Sequence, residues 1–153
     1  MVQGRWFAMG GDISTPLKLR QAVFGRGQDA LDAQAWQVVV YDGDTPVGTA
    51  RLWWRDGAFW LGDVGVLEER RGRGFGDLLV RLLLFKALMH SAALIRLDAT
   101  QDTVAFFAKY GFASERGTAM CIRGQDVRLN HCGGACETCD HRGPECAPKV
   151  LRE

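Results

Sequence analysis

At 153 residues the chain suits one domain with one sizeable core, and its 47% hydrophobic and 24% charged content are ordinary globular values. A net charge of +1 provides no global field to draw nucleic acid or a membrane surface, and no apolar run reaches the ~20 residues of a membrane-spanning helix. The start, MVQGRWFAMGG, lacks the charged and apolar regions of a signal peptide, so the sequence reads as cytoplasmic.

In chain order, TPLKLRQAVF (residues 15–24) predicts a short helix. Thr15 would cap it, Pro16 suits its first turn, and Leu19, Ala22 and Val23 make an apolar face. GRGQDALDAQ follows as a polar loop. WQVVVYDGDTPVGTARLWW predicts two strands, residues 38–41 and 47–54, joined by the turn chemistry of Asp42 to Pro46. RDG turns the chain back into a third strand, AFWLGDVGVL. After a glycine-rich stretch, DLLVRLLLFKALMH has so few polar positions that its helix must be buried on most sides. ALIRLDA is then a strand reached through a helical crossover, hence parallel to LGDVGVL. DTVAFFAKYGF is a further helix stopped by Gly111, and FASERGTAMCIRGQDVRL supplies one or two closing strands. The fold class is α/β: an antiparallel meander followed by a parallel strand pair in a mixed sheet, with flanking helices. Composition shifts near residue 131, which separates a domain of residues 1–130 from a tail of residues 131–153.

The glycine-rich stretch is RRGRGFG, residues 70–76. A strand, a glycine turn and a helix start together form an anion site. The first helical turn leaves backbone N–H groups unpaired, and the helix dipole adds about half a positive charge there. Glycine lets the backbone close on a phosphate, and Arg70, Arg71 and Arg73 add guanidinium forks. The plainer reading is a solvated basic turn; the flanking strand and long apolar helix favour phosphate. The Gly-Lys-Ser/Thr of a P-loop is missing, and the third glycine of a dinucleotide fingerprint would fall on Asp77.

The spacing that fits is Arg/Gln-x-x-Gly-x-Gly/Ala, here Arg71-Gly72-Arg73-Gly74-Phe75-Gly76. It resembles the acetyl-coenzyme A motif of the GNAT superfamily of N-acetyltransferases. The resemblance runs over roughly residues 10–128, with LRQAVF, PVGTARL, GVLEERRGRGFGDLL, LDAT and FFAKYGF in the order of that fold's elements. It implies direct transfer of acetyl from acetyl-CoA to an amine of a small molecule or peptide, without a covalent enzyme intermediate. It also implies that the pyrophosphate lies on the turn, with Arg71 and Arg73, and that the pantetheine arm pairs with main-chain groups of Val64, Gly65 and Val66. The implied partners are acetyl-CoA and an amine acceptor, with no membrane; a homodimer is compatible with the family.

The sequence departs from the family where protons move. The Glu common four residues before Val66 is Gly62, the Tyr common four before Gly111 is Phe107, and an Asn common near the helix start is Thr100. Three accounts stand. Water and solvent can serve, since acid–base help is worth about 10²–10⁴-fold and its loss only slows a positioned reaction. Alternatively Asp63, Asp98, Glu115 or Tyr110 stands in. Or the domain is a non-catalytic acyl-CoA-binding module whose metal-bound tail contacts a protein partner. The catalytic candidates are Asp63 and Tyr110. Strand alternation turns Asp63 away from the acceptor unless a bulge at Gly62 or Gly65 brings it round. Tyr110 sits where packing residues are common. Trp53, Trp54 and Trp60 read as core plus one covered face, with an aromatic acceptor wall as the alternative; Trp53 and Trp54 must face opposite sides.

The tail, HCGGACETCDHRGPECAPKVLRE, spaces Cys132, Cys136, Cys139 and Cys146 with three, two and six residues between them. Four thiolates so close can close a tetrahedral site, with His131 and His141 as spare ligands. Zinc is favoured on ligand type, with an iron–sulfur cluster as the lesser choice. The Cys-x-x-x-Cys-x-x-Cys run also matches the cluster motif of radical enzymes that use S-adenosylmethionine, but those need a large barrel. His141, Arg142 and Lys149 make only a thin basic patch, which argues against nucleic acid. Cys121, within a predicted strand, reads as a buried small hydrophobe.

Overall fold

A computed structural model describes residues 1–129 of the chain. The elements are β1 (Val2–Phe7), α1 (Ser14–Phe24), β2 (Ala35–Asp42), β3 (Thr45–Arg55), β4 (Ala58–Val66), α2 (Phe75–Met89), β5 (Leu94–Asp98), α3 (Val104–Ala108), β6 (Ala113–Arg116) and β7 (Ala119–Arg123). They form one seven-stranded mixed sheet in the order β1-β2-β3-β4-β5-β7-β6. The β2-β3-β4 meander is antiparallel, and β4 pairs in parallel with β5 through the α2 crossover. The tail and its four candidate metal ligands lie outside the described residues.

Helix α2 packs on β2, β3 and β4, and its Leu79, Val80, Leu83 and Leu84 are fully buried. They meet Val38, Val40, Leu52, Leu61 and Ile95, the inward-facing residues of four adjacent strands. This is the near-continuous burial that the apolar run 78–85 requires. On the other face α1 lies over β2, β3 and β4, and that layer is partly polar: Arg20, Asp32, Gln37, Thr49 and Arg51 are all buried.

Two local readings need correction. β1 is an edge strand that the sequence reading left unassigned. It pairs with β2 along six residues but is mostly exposed, so it lacks the alternation of a half-buried strand. Helix α1 opens at Ser14 with Ile13 in the cap position, two residues before the expected Thr15 cap. Asp12 serves that end instead, accepting from the Ser14 amide (3.0 Å) and hydroxyl (2.8 Å).

Two irregularities in β4 position the site. Thr49 faces Gly65 and Arg51 faces Gly62, so Ala50 is opposed by both Asp63 and Val64. This is a β-bulge, and Asp63 carries it with a left-handed φ of 52°. The β4–β5 register is also short, limited to Phe59 with Ile95 and Trp60 with Arg96. Beyond Trp60 the two parallel strands part, and among the described residues the backbone of β4 on that side has no strand partner.

Candidate functional site

Two adjoining cavities open where β4 and β5 part. The first, of about 580 Å³, is lined by Val64, Gly65 and Val66 of β4, by Arg71, Gly72 and Gly74, by Phe75, Gly76 and Asp77 of α2, and by Thr103, Phe106 and Lys109 beyond. The turn reaches its shape through Gly72 and Gly74, whose φ values of 79° and 84° favour glycine. Gly74 is the residue before α2 and brings no side chain to cap it. The amides of the first helical turn therefore face the cavity available for an anion. Arg71 donates its Nε to the Val66 carbonyl (3.1 Å) and lines both cavities. Arg70 is paired with Asp42 (3.1 Å). Arg73 is exposed and does not line either cavity. The other residues expected of the donor site, Val64, Gly65, Val66, Arg71, Gly72, Gly74, Phe75 and Gly76, come together in the first.

The second cavity, of about 490 Å³, adjoins the first on the side of Gly62 and Asp63. Its walls include Phe24, Arg26, Gly62, Asp63, Asp98, Thr100 and Phe107. The bulge has brought Asp63 to it, against the direction that regular alternation predicts. Among the described residues the Asp63 carboxylate meets Arg26, Arg51 (2.8 Å) and Arg20 (3.9 Å), and its side chain is only 11% exposed.

Behind Asp63 runs a buried charge network that sequence reasoning missed. Arg20 holds Asp32 with both terminal nitrogens (2.9 and 2.8 Å) and donates to Gln37 (3.0 Å). Arg51 holds Asp29 the same way (2.7 and 2.8 Å) and reaches Asp32 (3.2 Å). Asp29 and Asp32 also cap a single 3₁₀ turn, Ala30–Gln34, in a reciprocal capping box. Burial alone would raise the Asp32 pKa. The Arg20 hydrogen bonds, the Asp29 amide and the charges of Arg20 and Arg51 outweigh it and hold the carboxyl at about 2. Arg51 is likewise held firmly protonated: desolvation is overcome by the Asp29 hydrogen bonds and the charges of Asp63, Asp29 and Asp32. The readable signal was the Asp-x-x-Asp pair inside the stretch read as a polar loop.

Tyr110 belongs to the core. It is fully buried, lines neither cavity and donates its hydroxyl to Asp77. Burial, then that hydrogen bond, push its pKa well above the ordinary phenol range. Glu115 pairs with Arg96 (3.4 Å) away from both cavities. The aromatic residues lining the second cavity are Phe24, Phe106 and Phe107, and no tryptophan is among them. Trp53 is buried and Trp54 is 53% exposed, on opposite faces as expected. Cys121 is only half-buried. Among the described residues, no group of three or more His, Cys, Asp or Glu side chains is placed to hold a metal ion.

Comparison with known proteins agrees with this geometry. A family model described as an acetyltransferase (GNAT) domain matches residues 33–114. YjcF of Bacillus subtilis, an uncharacterised N-acetyltransferase, is 33% identical over 84 residues, covering 55% of this chain and 60% of YjcF. The chain thus matches less than two thirds of that relative's length. In fold, an acyl-CoA N-acyltransferase from Pseudomonas aeruginosa superposes with a TM-score of 0.69 at 19% identity, over 80% of this chain and 99% of its own. A GNAT family acetyltransferase from Brucella melitensis, solved in complex with acetyl-CoA, gives 0.61 at 19% identity, over 80% and 88%.

Proposed function

The chain belongs to the GNAT acetyltransferase family, and we propose that it moves the acetyl group of acetyl-coenzyme A to a primary amine by direct attack. The amine nitrogen attacks the thioester carbonyl carbon, and the C–S bond breaks with its electron pair going to sulfur. The ammonium gives up two protons, through Asp63 and water, to solvent; solvent returns one to the thiolate, so one proton is released overall. The products are the acetamide and free coenzyme A.

The observation that carries this reading is the first cavity. It joins a β4 edge at Val64–Val66 that β5 does not pair with to a helix start at Gly74 without a side-chain cap, with Arg71 between them. The edge suits the amide groups of a pantetheine arm, and the turn suits a pyrophosphate. Asp63 lines the second cavity, as Asp98 and Asp102 also do, and the role assigned to it is to hold the incoming ammonium and receive its proton directly or through water. The thiolate takes its proton from solvent, since Phe107 has no hydroxyl to give. Tyr110 is left out of the chemistry, its hydroxyl being committed to Asp77. Positioning supplies most of the rate.

The first experiment is a calorimetric titration of acetyl-CoA into the protein, with desulfo-CoA and ADP as comparisons. One-to-one binding, weakened at least tenfold by Arg71→Ala, is the expected result. No binding by folded protein would remove the donor site and the reaction with it. For the tail, the reading is a structural zinc on Cys132, Cys136, Cys139 and Cys146, in a protein of the cytoplasm. Metal analysis of protein purified without chelators should find one zinc per chain, and neither zinc nor iron would sink it.

A further inference from the structure

The acceptor cavity already contains a cation, and it belongs to the protein. Arg26 stands between Gly25 and Gly27 just after α1, and its side chain is 52% exposed. Its guanidinium pairs with Asp63 and lies over the ring of Phe24, 5.2 Å from the centroid. A carboxylate beside an aromatic face is the chemistry that holds an ammonium group. The seat also touches the donor edge: a Cβ on Gly65 would meet Phe24 and Val23 at 2.8 Å.

The neighbouring charges show why Arg26 is the replaceable member. Arg20 and Arg51 are buried, and each grips an aspartate with two hydrogen bonds. Three arginines (20, 26 and 51) face three aspartates (29, 32 and 63). If Arg26 swings out, two cations face three carboxylates, and the charge left over is the single negative charge an ammonium neutralises. Arg26 alone of the three is half in water and flanked by glycines, so its departure needs no repacking.

We propose that Arg26 is an internal occupant of the acceptor seat, and that the acceptor is a cationic primary amine that displaces its guanidinium from Asp63 and the face of Phe24. This rests on the acetyltransferase reading above. Arg26 then acts as a specificity device. A neutral or anionic acceptor gains nothing by replacing a cation, whereas an ammonium restores both the ion pair and the cation–π contact. The contact also lowers apparent affinity, because only the fraction of molecules with Arg26 swung out can bind.

The test uses the full chain and two readouts. In the first, n-butylamine and 1,4-diaminobutane are titrated against the side-chain NMR signals of Arg26, with n-butanol as the neutral comparison. The amines should shift the Arg26 Nε–H signal and n-butanol should not, with or without coenzyme A; Asp63→Asn should abolish the shift. In the second, Arg26→Ala should lower the KM for n-butylamine about three- to tenfold, the range expected if Arg26 is swung out in about a tenth to a third of molecules. Acetyl-CoA affinity, read by calorimetry, should stay put. A raised KM would make Arg26 an acceptor-binding group, weakened acetyl-CoA binding would make it a donor-side ligand, and either overturns the proposal. So would an Arg26 signal that ignores amines at tens of millimolar. If acetyl-CoA fails to bind the parent protein, the transferase reading falls, while the NMR arm still reports on the seat.

Discussion

At the scale of single residues, Gly62 and Phe107, the two positions read from the sequence as lacking an acid or base, differ in their physical surroundings. Gly62 is glycine because the Trp53 indole lies across it. A Cβ there would sit 3.0 and 3.3 Å from two indole carbons. Gly62→Glu should therefore fail to install a base. Overpacking against a buried ring costs about 1–3 kcal/mol, so urea unfolding should show a loss of that order with no gain in turnover. Phe107 is different, since its ring lines the second cavity and a para hydroxyl has a cavity to enter. Phe107→Tyr should leave turnover similar or raise it, within the ~10²-fold that modest general-acid help supplies. A tenfold fall in kcat would contradict the view that this site lacks only its acid.

Secondary-structure elements bring these residues to their places, and two of them make predictions. Asp32 ties α1 to the sheet through Arg20 and Arg51. Its carboxyl titrates at about 2 when folded, against 3.8 ordinarily. Folding thus favours the charged form, and the stabilisation is complete above the ordinary value and disappears as pH falls through about 2. That difference corresponds to ~2 kcal/mol. The parent should lose about that much more stability than Asp32→Asn between pH 5 and pH 2, measured by urea unfolding. At neutral pH, Asp32→Asn itself should cost about 3–5 kcal/mol, because it leaves buried guanidinium groups without their charge. At the start of α2 the glycines separate by conformation. Gly74→Ala forces a Cβ into the left-handed region, costs about 1–2 kcal/mol, and should weaken acetyl-CoA binding. Gly76→Ala meets Phe106 and Val66 only at 3.9 Å, an ordinary contact. It should be neutral or slightly stabilising in folding, so any loss of acetyl-CoA affinity it shows is steric.

The same elements show what was legible beforehand. The meander, the α2 crossover and the parallel β5 follow from apolar period and turn residues, which are local signals. The glycine turn was legible because its residues lie in one contiguous stretch. The acceptor side was not, because it is assembled from α1, the Asp29–Asp32 turn, β3 and a bulge in β4. Nothing local announces that Arg20 and Arg51 are buried, since their burial is made possible by aspartates 12 and 22 positions away. For Asp63, regular alternation and a bulge pointed opposite ways, and its pairing with β3 reveals the extra residue. β1 was missed because an exposed edge strand carries little period.

At the scale of the whole molecule, the donor cavity lies along the least connected line of the sheet. β1 pairs with β2 over six residues and β2 with β3 over eight, whereas β4 and β5 share two register pairs. α2 packs on β2, β3 and β4, so it strengthens the half that is already well paired. α3, beside the gap, has only five residues. A ligand lodged between β4 and the segment containing α3 replaces the missing strand pairing. Acetyl-CoA at a hundredfold excess over its Kd should add about 2.7 kcal/mol to global stability by mass action alone. The gap adds a local effect. Amides of β5, α3 and residues 70–76 should gain more hydrogen-exchange protection than those of β2 and β3, because they exchange through partial openings that the ligand closes. A uniform increase across all seven strands would mean that the sheet opens as one unit and that the parted strands are no mechanical weakness. A gain confined to β5, α3 and the turn would show that the opening which admits the donor is also the domain's lowest-energy opening.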